Sequence, residues 1–171
     1  MDFNKLKDID TFIFDVDGVL TNGTLIVTDD GGFLRTMYVR DGSAMKTAIN
    51  NGYRICIITK GASVGVKKRL EFLGANPVYD RVLDKMIPFR DLVENHGVDP
   101  QKCIYMGDDL ADAEVMQQVA ISTCPNDADH EIIKLADFVS PYKGGEGCVR
   151  DIIEKVLRTR GDWKISDYDK Q

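Results

Sequence analysis

Short β-rich apolar runs at residues 11–14, 53–58, 103–106, 120–123 and 138–140 alternate with amphipathic stretches, and this rhythm leaves the chain few ways to fold. Strands separated by helices pair in parallel, with helices covering both faces of the sheet. The expectation is therefore an α/β fold, a mainly parallel sheet inside a three-layer α/β/α sandwich. Helix ends are marked in the sequence. Asp41 is placed to cap a helix reaching Asn50, with Gly52 just beyond; Ser63 opens one that stops at Gly74; a third, from Lys85 to Asn95, stops at Gly97. Pro88 falls in the first turn of that third helix, where it is tolerated. Residues 109–118 and 146–158 supply two more helices.

One segment breaks the rhythm. Residues 24–28 and 33–39 flank Asp29-Asp30-Gly31-Gly32, a turn-forming cluster between two β-rich runs, and read as a β-hairpin inserted between the first strand and the first helix. With 171 residues and 43% hydrophobic content, the chain suits one domain with a sizeable core. We expect that domain over residues 1–160, with the hairpin at 24–39 and a less committed tail at 161–171 anchored by Trp163. The net charge of −6, with Lys67-Lys68-Arg69 as the longest basic run, argues against a nucleic-acid surface and for small-molecule chemistry. Cys56, Cys103, Cys124 and Cys148 lack metal-ligand spacing, and the first and second of them, inside apolar runs, read as small buried hydrophobes. A polar N-terminus and apolar runs too short to span a bilayer give the expectation of a cytoplasmic protein with no membrane partner.

The first strand runs into Phe-Ile-Phe-Asp-Val-Asp-Gly-Val-Leu-Thr, residues 12–21, where two carboxylates two residues apart close an apolar stretch. On a strand, Asp15 and Asp17 share a face, and buried charge without compensation is costly, so a positive partner is expected. Open parallel sheets bind ligands beyond the carboxyl ends of their strands. Thr59 ends the second strand of the series, Lys85 opens a helix, and Gly107-Asp108-Asp109 ends the strand at 103–106. Carboxylates of Asp15 and Asp108, with a backbone carbonyl near Asp17, suit an oxygen-loving dication such as Mg2+. Such sites serve phosphoryl chemistry, in which Asp15 is a candidate nucleophile. Asp17, whose side chain is off the metal, is a candidate acid. Gly18 leaves room for close backbone approach. Asp112 reads either as part of the site or as a polar residue in the first turn of its helix.

Asp15-Val16-Asp17-Gly18-Val19-Leu20-Thr21 resembles the DxDGxxT signature of the haloacid dehalogenase superfamily. Thr59, Lys85 and Gly107-Asp108-Asp109-Leu110-Ala111-Asp112 resemble its second, third and fourth motifs, in order. Within the superfamily the chain is most similar to the capless 3-deoxy-D-manno-octulosonate 8-phosphate (KDO 8-phosphate) phosphatases, through Val39-Arg40-Asp41-Gly42, the hairpin before it and Gly144-Gly145-Glu146-Gly147. That resemblance implies a Rossmann-like (HAD-like) fold without a cap domain. It also implies Mg-dependent hydrolysis of a sugar-acid phosphate to KDO, a lipopolysaccharide precursor, through an aspartyl phosphate. Asp15 would attack phosphorus, Asp17 would protonate the sugar alkoxide and then activate water, and Thr59 and Lys85 would hold phosphoryl oxygens. The metal set would be Asp15, Asp17 and Asp108, with Gly18, Gly107, Asp109 and Asp112 in support and Asp109 holding Lys85 or a metal water. The resemblance further implies a homotetramer in which hairpins meet and neighbouring subunits help close each site.

Two departures bear on the substrate. The second-motif Thr is followed by Lys60-Gly61-Ala62-Ser63 rather than Gly-Arg, and Glu146 stands where many relatives have arginine. Arg40 and Asp41 favour the eight-carbon sugar acid, with Arg69 a further carboxylate-binding candidate, while Glu146 fits relatives acting on nine-carbon (KDN or sialic acid) 9-phosphates. A different class of function is a non-catalytic oligomerisation domain, like that fused to acylneuraminate cytidylyltransferases. The intact motif set argues against it.

Overall fold

The computed structural model describes residues 3–164. In chain order its first half comprises α1 (Phe3–Leu6), β1 (Thr11–Phe14), β2 (Ile26–Val27), β3 (Phe33–Leu34), α2 (Val39–Asn50), β4 (Arg54–Ile58) and α3 (Val64–Leu73). The second half comprises β5 (Val78–Tyr79), α4 (Met86–His96), β6 (Cys103–Met106), α5 (Ala113–Met116), β7 (Ile121–Cys124), α6 (His130–Leu135), β8 (Phe138–Val139) and α7 (Cys148–Arg160). Among these, six strands pair in parallel in the order β5-β4-β1-β6-β7-β8, and β2 pairs antiparallel with β3 as a separate hairpin.

The sheet is buried on both faces because alternate residues feed two cores. Phe12, Phe14, Ile55, Ile57, Ile104 and Met106 pack with Leu6, Met45, Leu70 and Ile152 from α1, α2, α3 and α7. Ile13, Cys56, Ile58, Cys103 and Tyr105 face the other way, onto Phe89, Leu92, Val115 and Ile132 from α4, α5 and α6. The expected three layers are present. β1 lies at the switch point of the sheet, with β4 and β5 to one side and β6 to β8 to the other, so the crevice opens where β1, β4 and β6 end.

Several boundaries differ from expectation. The strand expected from residue 53 starts at Arg54, and the one expected at 120–123 is shifted by one residue. Both hairpin strands shorten to two residues, Ile26↔Leu34 and Val27↔Phe33 pairing around a turn closed by Thr28 and Gly32. Residues 109–118 form a 3₁₀ turn, Leu110–Asp112, followed by the single turn of α5. α6 carries too few residues for its period to show, although Asp129 caps it through the Glu131 N–H. Ser63, Gly74 and Gly97 end their helices as expected. Trp163 lies beside the guanidinium groups of Arg150 and Arg158 and packs on the core, and Tyr53 donates to Asp162, so the start of the tail is fixed; residues 165–171 of the expected tail lie outside the described residues.

Asp41 is not the cap of its helix. α2 starts earlier, after Tyr38, and the Asp41 side chain turns inward, where Oδ1 accepts the Arg150 N–H at 2.8 Å from the first turn of α7. Only 1% exposed, its carboxyl is pushed up to about 6 by burial, against the opposing pull of the α7 amides. A carboxyl raised above its ordinary value near 3.8 binds more protons folded than unfolded, so its contribution to stability falls as pH rises from about 4 to about 6. Asp41→Asn, which keeps an acceptor for Arg150, is expected to remove that slope. Thermal melts of both proteins across the acid range check it; parallel pH curves would refute the assignment.

Candidate active site

Backbone geometry brings four loops to the crevice. The Asp15 N–H donates to the Met106 carbonyl (3.0 Å), extending the β1–β6 register by one residue, and the chain then curls as Val16 O accepts from Leu20 and Thr21. Thr59 is held at the end of β4 by Tyr79 O, and Lys85 precedes α4. Gly107-Asp108 follows β6. A Cβ at Gly107 would fall on Asp112, and one at Gly18 (φ +91°) would fall on the Asp108 carboxylate, so both glycines are needed for the carboxylates to gather. A cavity of about 160 Å³ is lined by Asp15, Asp17, Thr59, Lys85, Asp108 and their neighbours.

Lys85 is the buried cation of the site. Its ammonium lies 3.1 Å from Asp15 Oδ2 and 2.6 Å from Asp112 Oδ1, with a side chain 3% exposed. Burial alone would lower its pKa, but Asp15 and Asp112 together outweigh burial and raise it. The balance is opposite at Asp15: burial exceeds the pull of Lys85 and raises that carboxyl to about 6. Asp108 is raised further, to about 8, by burial and by the charges of Asp15 and Asp112. One ammonium therefore does not neutralise this cluster.

Asp15, Asp108 and Asp112 each bring a carboxylate oxygen within 4.8 Å of the others. Asp112 is already committed: Oδ1 accepts from Lys85 and from the Tyr105 hydroxyl (2.6 Å), and Oδ2 accepts the amides of Asp108 and Asp109. Burial holds Tyr105 well above its ordinary pKa, so it remains a donor. Asp112 thus serves as a buttress. The oxygens left buried without a hydrogen-bond partner among the described residues include Asp15 Oδ1 and Asp108 Oδ1. Two orphaned carboxylate oxygens in a cluster short of positive charge fit a hard dication, which takes oxygen ligands and keeps water in its shell.

Asp17 does not join that cluster through its side chain. Arg35, at the root of the hairpin, grips it from the side, Nε to Oδ1 at 2.6 Å and Nη2 to Oδ2 at 3.0 Å, and the Thr21 hydroxyl donates to Oδ1 at 3.5 Å. Sequence reasoning passed over Arg35. Its signal is alternation: past β3 burial keeps a period of two, with Arg35 and Met37 partly buried while Thr36 and Tyr38 are exposed. Asp109, expected to hold Lys85 or a metal water, closes a capping box with Asp112 and accepts the Leu110 N–H, while the ammonium is held by Asp15 and Asp112.

The four substrate-binding candidates are not brought together on this one chain. Arg40 and Glu146 line a cleft with Tyr38, Tyr142 and Arg158, separate from the carboxylate cavity. Arg69 lines a groove between α3 and the hairpin residues Phe33 and Leu34. Asp41 is buried. The Gly144-Gly145 turn packs beside the first motif, with the Gly145 N–H on Val19 O.

Residues 74–152 match the family described as haloacid dehalogenase-like hydrolase. Over 157 residues the chain is 35% identical to 3-deoxy-D-manno-octulosonate 8-phosphate phosphatase KdsC of Escherichia coli K12, covering 92% of this chain and 84% of that protein. It superposes on the 3-deoxy-D-manno-octulosonate 8-phosphate phosphatase of Yersinia pestis with a TM-score of 0.91 at 30% identity, covering 94% and 86% of the two chains. On the Moraxella catarrhalis phosphatase of the same name, solved with a magnesium ion, a phosphate ion and a KDO molecule, the TM-score is 0.92 at 27% identity, covering 99% and 97%.

Proposed function

Because the chain belongs to the 3-deoxy-D-manno-octulosonate 8-phosphate phosphatase family of the haloacid dehalogenase-like hydrolases, we propose that it hydrolyses the phosphate ester of a 2-keto-3-deoxy sugar acid, with KDO 8-phosphate as substrate and Mg2+ as cofactor. The observation that carries this reading is the pair of orphaned oxygens, Asp15 Oδ1 and Asp108 Oδ1, beside an ammonium that holds the other oxygen of Asp15. Asp15 and Asp108 would hold the ion, which when bound neutralises phosphoryl charge. The catalytic domain is taken as residues 1–160.

Each residue then has a task. Asp15 attacks phosphorus, and the P–O bond to the sugar breaks as the Asp15–phosphorus bond forms. Asp17 gives a proton to the leaving alkoxide and later takes one from the water that cleaves the aspartyl phosphate. The Thr59 hydroxyl accepts the Gly61 N–H at 3.1 Å, leaving its own proton for a phosphoryl oxygen. Lys85, fixed by Asp15 and Asp112, has a third donor for another.

A homotetramer belongs to the same proposal. It is supported by Ile26, Val27, Phe33 and Leu34, all more than half exposed on the hairpin, an apolar surface that a second copy would cover. In such an assembly Arg40, Arg69 and Glu146 are available to a neighbouring subunit's cavity. A cytosolic setting is supported by four buried free thiols. Among the described residues no helix is long and apolar enough to cross a membrane.

The test is phosphate release from a panel of sugar-acid and simple phosphate esters, on material whose mass in solution is known. The expected result is preference for KDO 8-phosphate, abolished by EDTA and restored by Mg2+, at a mass near four chains. Preference for a nine-carbon 9-phosphate would reassign the substrate, absence of turnover would leave the oligomerisation-domain reading, and a fully active monomer would remove the tetramer.

A further inference from the structure

We propose that Arg35 is a positioning residue for proton transfer: from the hairpin it fixes the carboxyl of Asp17 so that the sugar alkoxide is protonated as Asp15 is phosphorylated. The proposal rests on the phosphatase reading above. In that step the P–O(sugar) bond breaks, its electron pair stays on the sugar oxygen, and the Asp17 proton moves there, leaving a carboxylate on Asp17. A general acid contributes only if its proton is aimed at the departing oxygen. Asp17 has little else to aim it: its side chain is 35% exposed, and its other side-chain contact is the 3.5 Å bond from Thr21.

Arg35 is built for this role rather than for solvent. Its side chain is 7% exposed, and it clamps both oxygens of Asp17 in the side-on, two-bond geometry that restricts rotation most. The clamp sits against Gly61. A Cβ there would lie 2.6 Å from Asp17 Oδ2 and 3.3 Å from Arg35 Nη2, so the glycine following Lys60 keeps space for the pair. Eighteen residues separate Asp17 from Arg35, and the exposed apolar hairpin lies between them. The same hairpin therefore carries an apolar surface and a hold on the proton donor.

Leaving-group chemistry separates this role from a structural or substrate-binding one. A sugar alkoxide needs a proton to leave; p-nitrophenolate does not. The value of kcat/KM reports the step that phosphorylates Asp15. For Arg35→Ala we expect it to fall about 100-fold on the sugar-acid phosphate and only a few-fold on p-nitrophenyl phosphate, with the loss mainly in kcat. Arg35→Lys should recover part of it, and Gly61→Ala should shift the ratio the same way. In an Asp17→Asn background, Arg35→Ala should cost almost nothing more, since one residue acts through the other. Equal losses on the two esters, a loss confined to KM, or full additivity with Asp17→Asn would overturn the proposal. A wild-type protein inactive on both esters would instead remove the phosphatase reading beneath it. Should Arg35→Ala fail to fold, Arg35→Lys and Gly61→Ala decide the matter by the same ratio.

Discussion

Asp15→Asn is expected to release phosphate at less than about 10⁻⁴ of the wild-type rate while melting within a few degrees of it. The activity loss follows from chemistry, because an amide oxygen does not form the acyl phosphate on which both half-reactions depend. The retained fold follows from the local charge balance. Ionised Asp15 is disfavoured by burial and by its acidic neighbours, which raise it to about 6, so at neutral pH its charge weakens the cation-free fold. Asparagine removes that charge but also deprives Lys85 of one of its two carboxylates. The two effects oppose each other. Phosphate release and thermal melts, with and without Mg2+, check the result. Undiminished turnover would remove Asp15 as nucleophile, and a collapse of Tm would make it a structural residue first.

Lys85→Met is expected to do what Asp15→Asn does not and unfold the site. The stem of Lys85 is buried and a methionine fits it, but Asp15, Asp108 and Asp112 would then share the crevice with no cation. Leaving buried charge unpaired costs about 3–5 kcal/mol, and for a chain of this length Tm falls by about 2–4 °C per kcal/mol. The expected drop is therefore about 6–20 °C in EDTA. Mg2+ should restore part of it by supplying charge to the same carboxylates, without restoring activity, because the donor to the phosphoryl oxygen is gone. Differential scanning calorimetry with EDTA and with Mg2+ reads both halves. An unchanged Tm in EDTA would mean that the carboxylates take up protons instead.

Both predictions concern residues whose place in the fold is largely legible in the sequence. Residues 15, 59 and 108 could be placed because parallel strands end at one edge, and a residue at a strand end needs no further information to be located there, whereas Lys85, at the start of α4, is located by its order among the motifs. The buttress could not be read the same way. Asp112 as a supporting residue was expected, yet its four bonds depend on a 3₁₀ turn that periodicity does not reveal. That Asp109 caps the turn while the ammonium is held by Asp15 and Asp112 is hidden for the same reason. Arg35 was missed because nothing local marks it: its partner lies across the hairpin, and only the alternation after β3 turns it inward. The placing of Arg40, Arg69 and Glu146 away from the carboxylates reflects a further limit, because a surface residue has no buried neighbour to fix its place.

The position of β1 between β4 and β6 has a consequence for synthesis. The residues that gather at its end come from positions 15–17, 59, 85 and 108–112, so a nascent chain that has emerged only through β4 holds Asp15, Asp17 and Thr59 but neither the ammonium nor the second carboxylate. Its middle strand lacks a neighbour on one edge until Cys103–Met106 is free to pair. Enzyme activity on the ribosome should therefore appear only after residue 112 has cleared the exit tunnel, and before then the exposed edge of β1 is the part of the chain most in need of a chaperone.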